Sequence, residues 1–413
     1  MAWKFRLLIV FILGYGVAGA QSVLDFTHEP ITEKYNVLEL NTEVDYFSDN
    51  IQNSLITNLV LGGGIDRNSL NGMLENMDGQ NSFGGWADIG LRYRSLSDSI
   101  LFKKNRSLFL EFGMAQYGYV SFPKDFFHLV FLGNADKLGE TLYMSNMTSE
   151  VMNYQYAGLG VMNESTGSYL SFNLINVQNY FSSDIEEFAL FTAEDASEVE
   201  LSYTGTVITN DTLRGNFLSN SGAGITLNGR YNMKLRENKD LFSIEVRNIG
   251  AVQLNDRTRQ LKADSSWNYS GVNVNELFSS DNPFTTITLE DSLAYTDEQK
   301  TKTVWMPLDI NANYFHRINK NDHIGFSVRK RFFTDHTADL GVNYLHNESD
   351  KVGYNVGLSY GGYGGLRMNA GAHLNLKNWR FYLTTRNLIG AFIESGKGRS
   401  ARFGIARTFR QTP

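Results

Sequence analysis

The stretch Ala223–Arg236, AGITLNGRYNMKLR, alternates by twos over its whole length. One parity reads Ala223, Ile225, Leu227, Gly229, Tyr231, Met233 and Leu235; the other reads Gly224, Thr226, Asn228, Arg230, Asn232, Lys234 and Arg236. Successive strand side chains point to opposite faces, so one face of this segment is apolar and the other is polar, basic or small. A strand of a soluble sheet is about 5–6 residues long. A strand that crosses a bilayer needs about 9–11 residues, facing lipid on one side and a wet lumen on the other. The length and the two-sidedness of this segment fit the second case.

The pattern recurs along the chain. Leu38, Leu40, Thr42, Val44 and Tyr46 oppose Glu39, Asn41, Glu43 and Asp45; Ala87, Ile89, Leu91 and Tyr93 oppose Asp88, Gly90, Arg92 and Arg94. Leu108, Leu110, Phe112 and Met114 alternate with Phe109, Glu111, Gly113 and Ala115. Val352–Tyr360 and Leu366–Leu376 alternate on either side of Gly361-Gly362-Tyr363-Gly364-Gly365, a hairpin with a glycine turn. Sheet edges are not tolerated in lipid, so strands of this kind close into a barrel. The expected fold is an all-β transmembrane antiparallel barrel of about 14 strands, within an even range of about 12–16. The last strand, Arg402–Arg410, carries Phe403, Ile405 and Phe409 on one parity.

The rest of the chain agrees with an exported barrel. Lys4 and Arg6, the apolar run Leu7–Leu13 and the small residues Ala18-Gly19-Ala20 read as a signal peptide over residues 1–20, leaving residues 21–413 as the barrel domain. No later stretch is long and apolar enough for a membrane helix. The formal charge of −7, from 37 basic and 44 acidic residues, offers no basic excess for nucleic acid. The absence of cysteine excludes disulfide scaffolds, thiolate metal sites and cysteine nucleophiles.

Two segments depart from the period of two. Asp66 caps a short helix with Leu70, Met73, Leu74 and Met77 on one face, and Pro123 starts another with Phe126, Phe127, Leu129 and Val130. These are expected at the barrel rim, with an inward plug as the alternative. Gly62-Gly63-Gly64 lacks the Lys-Ser/Thr of a phosphate loop and reads as a turn before the Asp66 helix.

The block Ser121-Phe122-Pro123-Lys124-Asp125-Phe126 to Leu132-Gly133-Asn134, then Leu138-Gly139, resembles one found in an uncharacterised family of Bacteroidota outer-membrane barrels. Ile65-Asp66 with Leu70 and Leu74, and the strand entry Phe83-Gly84-Gly85, share that resemblance. The family sits loosely with fatty-acid-transporter-like barrels and with barrels of type IX secretion and gliding machinery. The resemblance implies a place in the outer membrane and brings no catalytic residues with it.

Nothing in the sequence points to an enzyme, a metal or a cofactor. The seven histidines are scattered, and neither H-E-x-x-H nor G-x-S-x-G occurs. The charges are more informative. Phasing the strands by their apolar faces turns Arg92, Arg94, Arg230, Lys234, Arg236, Arg247, Arg367, Arg380 and Arg386 inward, together with Glu111, Glu245 and Asp309, also Asp88 and Asp339. These groups either line a basic aqueous lumen or pair into an ion ladder that fills it. The acidic stretch 182–198 and the polar stretch 255–302, which includes Trp267, Phe278 and Phe284, are expected as extracellular loops. The sequence thus supports a channel or transporter for a small anionic or amphipathic solute; the alternative is a non-conducting subunit of a larger surface, secretion or gliding complex. Outer-membrane lipid is the expected partner, other envelope proteins belong to the second reading, and nucleic acid to neither.

Overall fold

The computed structural model describes residues 35–97, 104–210, 219–236, 239–269, 295–333 and 335–410; the expected signal peptide, Phe278 and Phe284 lie outside them. The order begins β1 (Tyr35–Ser48), α1 (Asn53–Leu61), α2 (Arg67–Glu75), β2 (Gln80–Ser97), β3 (Arg106–Pro123) and α3 (Lys124–Phe131). It continues through β4 (Thr141–Tyr143), β5 (Met147–Asn163), β6 (Ser168–Thr192), β7 (Val199–Asn210), β8 (Gly222–Leu235), β9 (Asp240–Leu254) and β10 (Thr258–Tyr269). Then come β11 (Tyr295–Gln299), β12 (Lys302–Trp305), β13 (Asp309–Arg317), β14 (Asp322–Arg331), β15 (Asp339–Asn347) and β16 (Val352–Tyr360). β17 (Arg367–Leu376), β18 (Trp379–Thr385), α4 (Leu388–Phe392) and β19 (Gly398–Arg410) complete it.

All nineteen described strands belong to one sheet, and fourteen of them close an antiparallel ring. Going round, the ring runs β1, β2, β3, β5, β6, β8, β9, β13, β14, β15, β16, β17, β18, β19 and back to β1. The seam from Tyr35↔Arg410 to Phe47↔Gly398 is fully paired, so neither β1 nor β19 leaves an open edge. The lower end, defined here by Tyr35 and Arg410, carries short turns such as those joining β5 to β6, β15 to β16 and β17 to β18. The helices and the remaining strands gather at the upper end.

The alternation read from sequence is the wall of this ring. Ile225, Leu227, Tyr231 and Met233 of β8 are exposed, as are Leu108, Leu110 and Phe112 of β3 and Val352 to Leu358 on alternate positions of β16. Together they form an outward apolar band of the kind lipid covers. Inside, the parity shifts where a bulge intervenes. Leu227 pairs with Ile249 but Gly229 pairs with Val246, so Arg247 and Asn248 both face Asn228. Asn248 takes a left-handed φ of 61°, and above it the inward residues become Val252 and Leu254.

The upper end extends the wall beyond the ring. β6 bonds β8 over Tyr169–Val177, then leaves it and bonds β7 over Phe181–Thr192. At the fork, the Gln178 carbonyl accepts from Asn210 Nδ2 and from Ser221 Oγ, side-chain donors that replace the interrupted ladder. β7 in turn pairs with β10, and β10 with β11. The stretches 182–198 and 255–302 are therefore built largely as paired strands where described, not as loops; β-branched and aromatic residues such as Ile185, Phe188, Phe191 and Trp267 favour that state.

Among the described residues four helices appear where two were expected, α1 and α4 being additional. Asp66 caps α2, its Oδ2 accepting from the Ser69 amide at 2.9 Å, and Pro123 precedes α3. Leu70, Met73 and Phe127 are buried in one cluster with Phe122 and Met147, while Leu74 and Phe126 pack on its margin. Phe122 has the outward parity of Phe112 and Met114. These helices thus cover the outside of the wall at the upper rim, and do not enter the lumen.

Candidate functional site

The interior of the ring is the one place where the strands converge many reactive side chains, and it is built in layers. Near the lower end Arg94 of β2 is buried and meets Glu164 at 2.8 Å, and Ser107 donates to the same carboxylate. Above it, Arg92 pairs with Glu111 of β3 at 2.8 Å, and Ser171 of β6 donates to that carboxylate too. Glu245 of β9 gathers Arg230 at 3.1 Å, Arg247 at 3.2 Å and the Tyr169 hydroxyl at 2.5 Å. The Tyr169 ring lies between the guanidinium groups of Arg92 and Arg230, 5.4 and 5.5 Å from its centroid.

Higher still, the pairs cross the lumen. Arg331 of β14 reaches Asp45 at 2.9 Å and Glu43 at 3.1 Å, both on β1, which stands nearly opposite in the ring. Arg329 joins Asp309 at 2.5 Å and Glu43 at 3.4 Å. Arg386, just beyond β18, holds Asp45 at 2.9 Å and also bonds Asp339 of β15, which Arg367 of β17 meets at 2.6 Å. This web ties β1 to β13, β14, β15 and β17 and to the residue after β18.

An apolar and aromatic layer lies above the ions. Phe47, Trp86, Tyr117, Met152, Tyr154, Val177, Val252 and Leu254 pack inward together. The connection from β14 to β15 reaches across the mouth to the opposite wall. Phe333 stacks on Tyr117 and Tyr119 of β3, with centroids 5.5 and 5.4 Å away, and Asp335 accepts from Ser121 Oγ. The Gly361–Gly365 turn sends Tyr363 in beside it, the ring meeting His336 edge-on at 4.9 Å. Gly361, Gly362 and Gly365 take positive φ here, a conformation that suits glycine. Gly84 on β2 makes room for the ring, since a Cβ there would come within 2.4 Å of it. Burial, with Arg331 and Arg386 nearby, lowers the His336 pKa to about 3, so its imidazole is neutral at physiological pH.

Among the described residues the lumen holds a cavity of about 90 Å³, between Trp86, Asp88, Arg247, Asp309 and Arg402 among others. That volume holds a few waters or one small ion, since a water needs roughly 10–15 Å³ measured this way.

Most of the residues expected to face the lumen are gathered here; Arg236, just past β8, is exposed, and Arg380 is half-buried on β18. Arg92, Arg94, Glu111, Arg230, Glu245, Arg247, Asp309, Arg367 and Arg386 are all members of the paired interior, while Lys234 is exposed towards the lower end of β8. Sequence reasoning missed Arg329, Arg331 and Arg402, and left Glu43 and Asp45 out of the lumen set. The signal for the arginines was parity: Arg329 and Arg331 share the phase opposite to Phe326 and Val328, and Arg402 the phase opposite to Phe403. No group of acidic and histidine side chains suited to a metal occurs among the described residues.

Comparison with solved structures returns barrels of the outer-membrane kind. A TodX monoaromatic hydrocarbon channel mutant aligns at 9% identity over 96% of this chain and 97% of its own, with a TM-score of 0.44. A Pseudomonas aeruginosa FadL homologue aligns at 10% over 92% and 91%, with a TM-score of 0.39. The translocator domain of the autotransporter NalP from Neisseria meningitidis aligns at 7% over 93% and 92%, with a TM-score of 0.32. Likeness at this level carries no argument about what this chain handles. No curated protein matches the sequence. Residues 41–385 match a family of unknown function, DUF5723, and the chain belongs to that family.

Proposed function

We propose that the protein is an outer-membrane transport barrel for a small solute, anionic in preference, described here in its closed state. The observation that carries this reading is the charged lumen. Replacing buried ion pairs by apolar side chains of similar volume is often neutral or stabilising by about 1–4 kcal/mol. A barrel that needed only to stay closed would gain by filling its interior with apolar and aromatic residues, as it does in the layer just above. Charged walls are useful where the lumen takes up water on opening, because the same groups are then rehydrated instead of stranded. The mouth fits this account: few side chains, chiefly Phe333, Asp335 and Tyr363, close it.

A second reading, a non-conducting barrel within a larger surface, secretion or gliding assembly, is favoured by the cross-lumen pairs of Arg331 with Glu43 and Asp45. Planar-bilayer recording on the refolded barrel separates the two. Under the transport reading the wild type is closed for most of the record, and F333A with Y363A raises the open fraction. A folded double variant that passes no current, in symmetric salt and under small-solute gradients, would overturn it in favour of the second.

A further inference from the structure

The geometry points to a binding site for one small anion, of the size of a halide or formate, held by Arg402 in the lumen cavity. Arg92, Arg94, Arg230, Arg247, Arg329, Arg331, Arg367 and Arg386 each have a carboxylate within 4.0 Å. Among these described lumen arginines and Arg402, Arg402 alone has none. Its side chain is 3% exposed, and its Nε and Nη1 atoms meet no acceptor. The Tyr382 ring, 5.5 Å from the guanidinium carbon, gives it a cation–π neighbour but accepts no charge-assisted hydrogen bond. An ionised group taken out of water without a partner costs several kcal/mol, and guanidinium does not escape by losing its proton.

The surroundings explain why the compensation comes from outside the chain. Glu43 and Asp309, which line the same cavity, are engaged by Arg329 and Arg331. Asp88 accepts from the Tyr156 hydroxyl at 3.3 Å, and both it and Glu43 feel the Arg402 charge from beyond ion-pair distance. Thr226 Oγ1, buried on β8 and without a partner, also lines the cavity, where it supplies a neutral donor. A guanidinium with two idle donors, an idle hydroxyl and about 90 Å³ of space form a site for a small monovalent acceptor. The volume excludes larger organic acids. As the solute class of the transport reading this inference rests on that reading; as a binding site it does not, and the test reads binding alone.

Bromide is the probe. Crystals of the full barrel soaked in bromide are expected to show an anomalous peak within hydrogen-bonding distance of Arg402, and R402M crystals to lose it. In solution, bromide replacing bulky gluconate at constant ionic strength raises the melting temperature of the wild type. R402M, which removes an unpaired buried charge and therefore folds, weakens that response by about tenfold or more in apparent affinity, the worth of a charged hydrogen bond. Ordered water without an anomalous peak in the wild-type cavity, or an equal bromide response in R402M, would overturn the inference. Absence of conductance would not touch it.

Discussion

Removing Arg331 is the most direct test of a lumen tied across its width. Its guanidinium meets Asp45 at 2.9 Å and Glu43 at 3.1 Å and lies over the Trp86 ring at 5.2 Å. Breaking a buried pair by deleting one partner costs about 3–5 kcal/mol, because the other charge is stranded. Here the stranding is incomplete: Glu43 keeps Arg329 at 3.4 Å, and Asp45 keeps Arg386 at 2.9 Å. We therefore place R331M at the low end, about 3 kcal/mol. D45N should cost a similar amount, since Arg331 retains Glu43 and Arg386 retains Asp339. The double variant is the informative one. Residues in one ion-pair network couple by about 0.5–3 kcal/mol, so R331M with D45N should fall short of the sum of the singles by at least about 1 kcal/mol. Reversible urea unfolding of the refolded barrel in lipid vesicles, followed by tryptophan fluorescence and by the gel shift of the folded form, measures all three. Strict additivity with small single effects would refute the cross-lumen contact, because two groups six strands apart couple only by touching.

Three further outcomes follow from named contacts. Leu227→Arg, on the outward face of β8, should lower stability by about 2–4 kcal/mol if it sits near the bilayer midplane, whereas Asn228→Ser, inside the ring, should be mild; parallel urea unfolding reads both. Gly84→Val places a side chain where the Tyr363 ring now lies, so the ring must leave the mouth, and uptake of a small solute into loaded vesicles should speed up while the fold is retained. Burial raises the Asp49 pKa to about 6, the Ser82 amide opposing that shift by donating to its carboxylate. A raised folded-state value means stability that is present below the unfolded value of about 3.9 and lost as pH rises through about 6; D49N should flatten that part of the stability profile between about pH 4 and 6.

Much of the fold was legible because a lipid-facing wall forces a period of two. Ala223–Arg236 and the two arms around Gly361–Gly365 show both faces plainly. Legibility failed where the period slips. At Arg247–Asn248 a bulge turns two successive residues inward, so the parity of Glu245 predicts the wrong face for Val252 and Leu254. The run Arg329-Lys330-Arg331 hides its own alternation, because the outward residue between the two lumen arginines is also basic. Partners across the lumen were beyond reach for a different reason. Which strand faces β1 depends on how many strands close the ring, and no local pattern near Glu43 or Arg331 encodes that number. The inward fold of Phe333 and Tyr363 likewise depends on the opposite wall, offering Tyr117, Tyr119 and the vacant space over Gly84.

The seam between β1 and β19 sets the order in which this molecule is made. The first described strand bonds the last along Tyr35↔Arg410 to Phe47↔Gly398, a contact between distant parts of the chain. Loop-closure entropy must be met before such a contact returns anything, so pairing of this kind is slow. Until β19 arrives, β1 and whichever strand was added most recently each present an unsatisfied row of amides and carbonyls, which hydrocarbon does not tolerate. Insertion is thus all-or-none at the level of the ring, and a growing chain needs its open edges shielded while it waits.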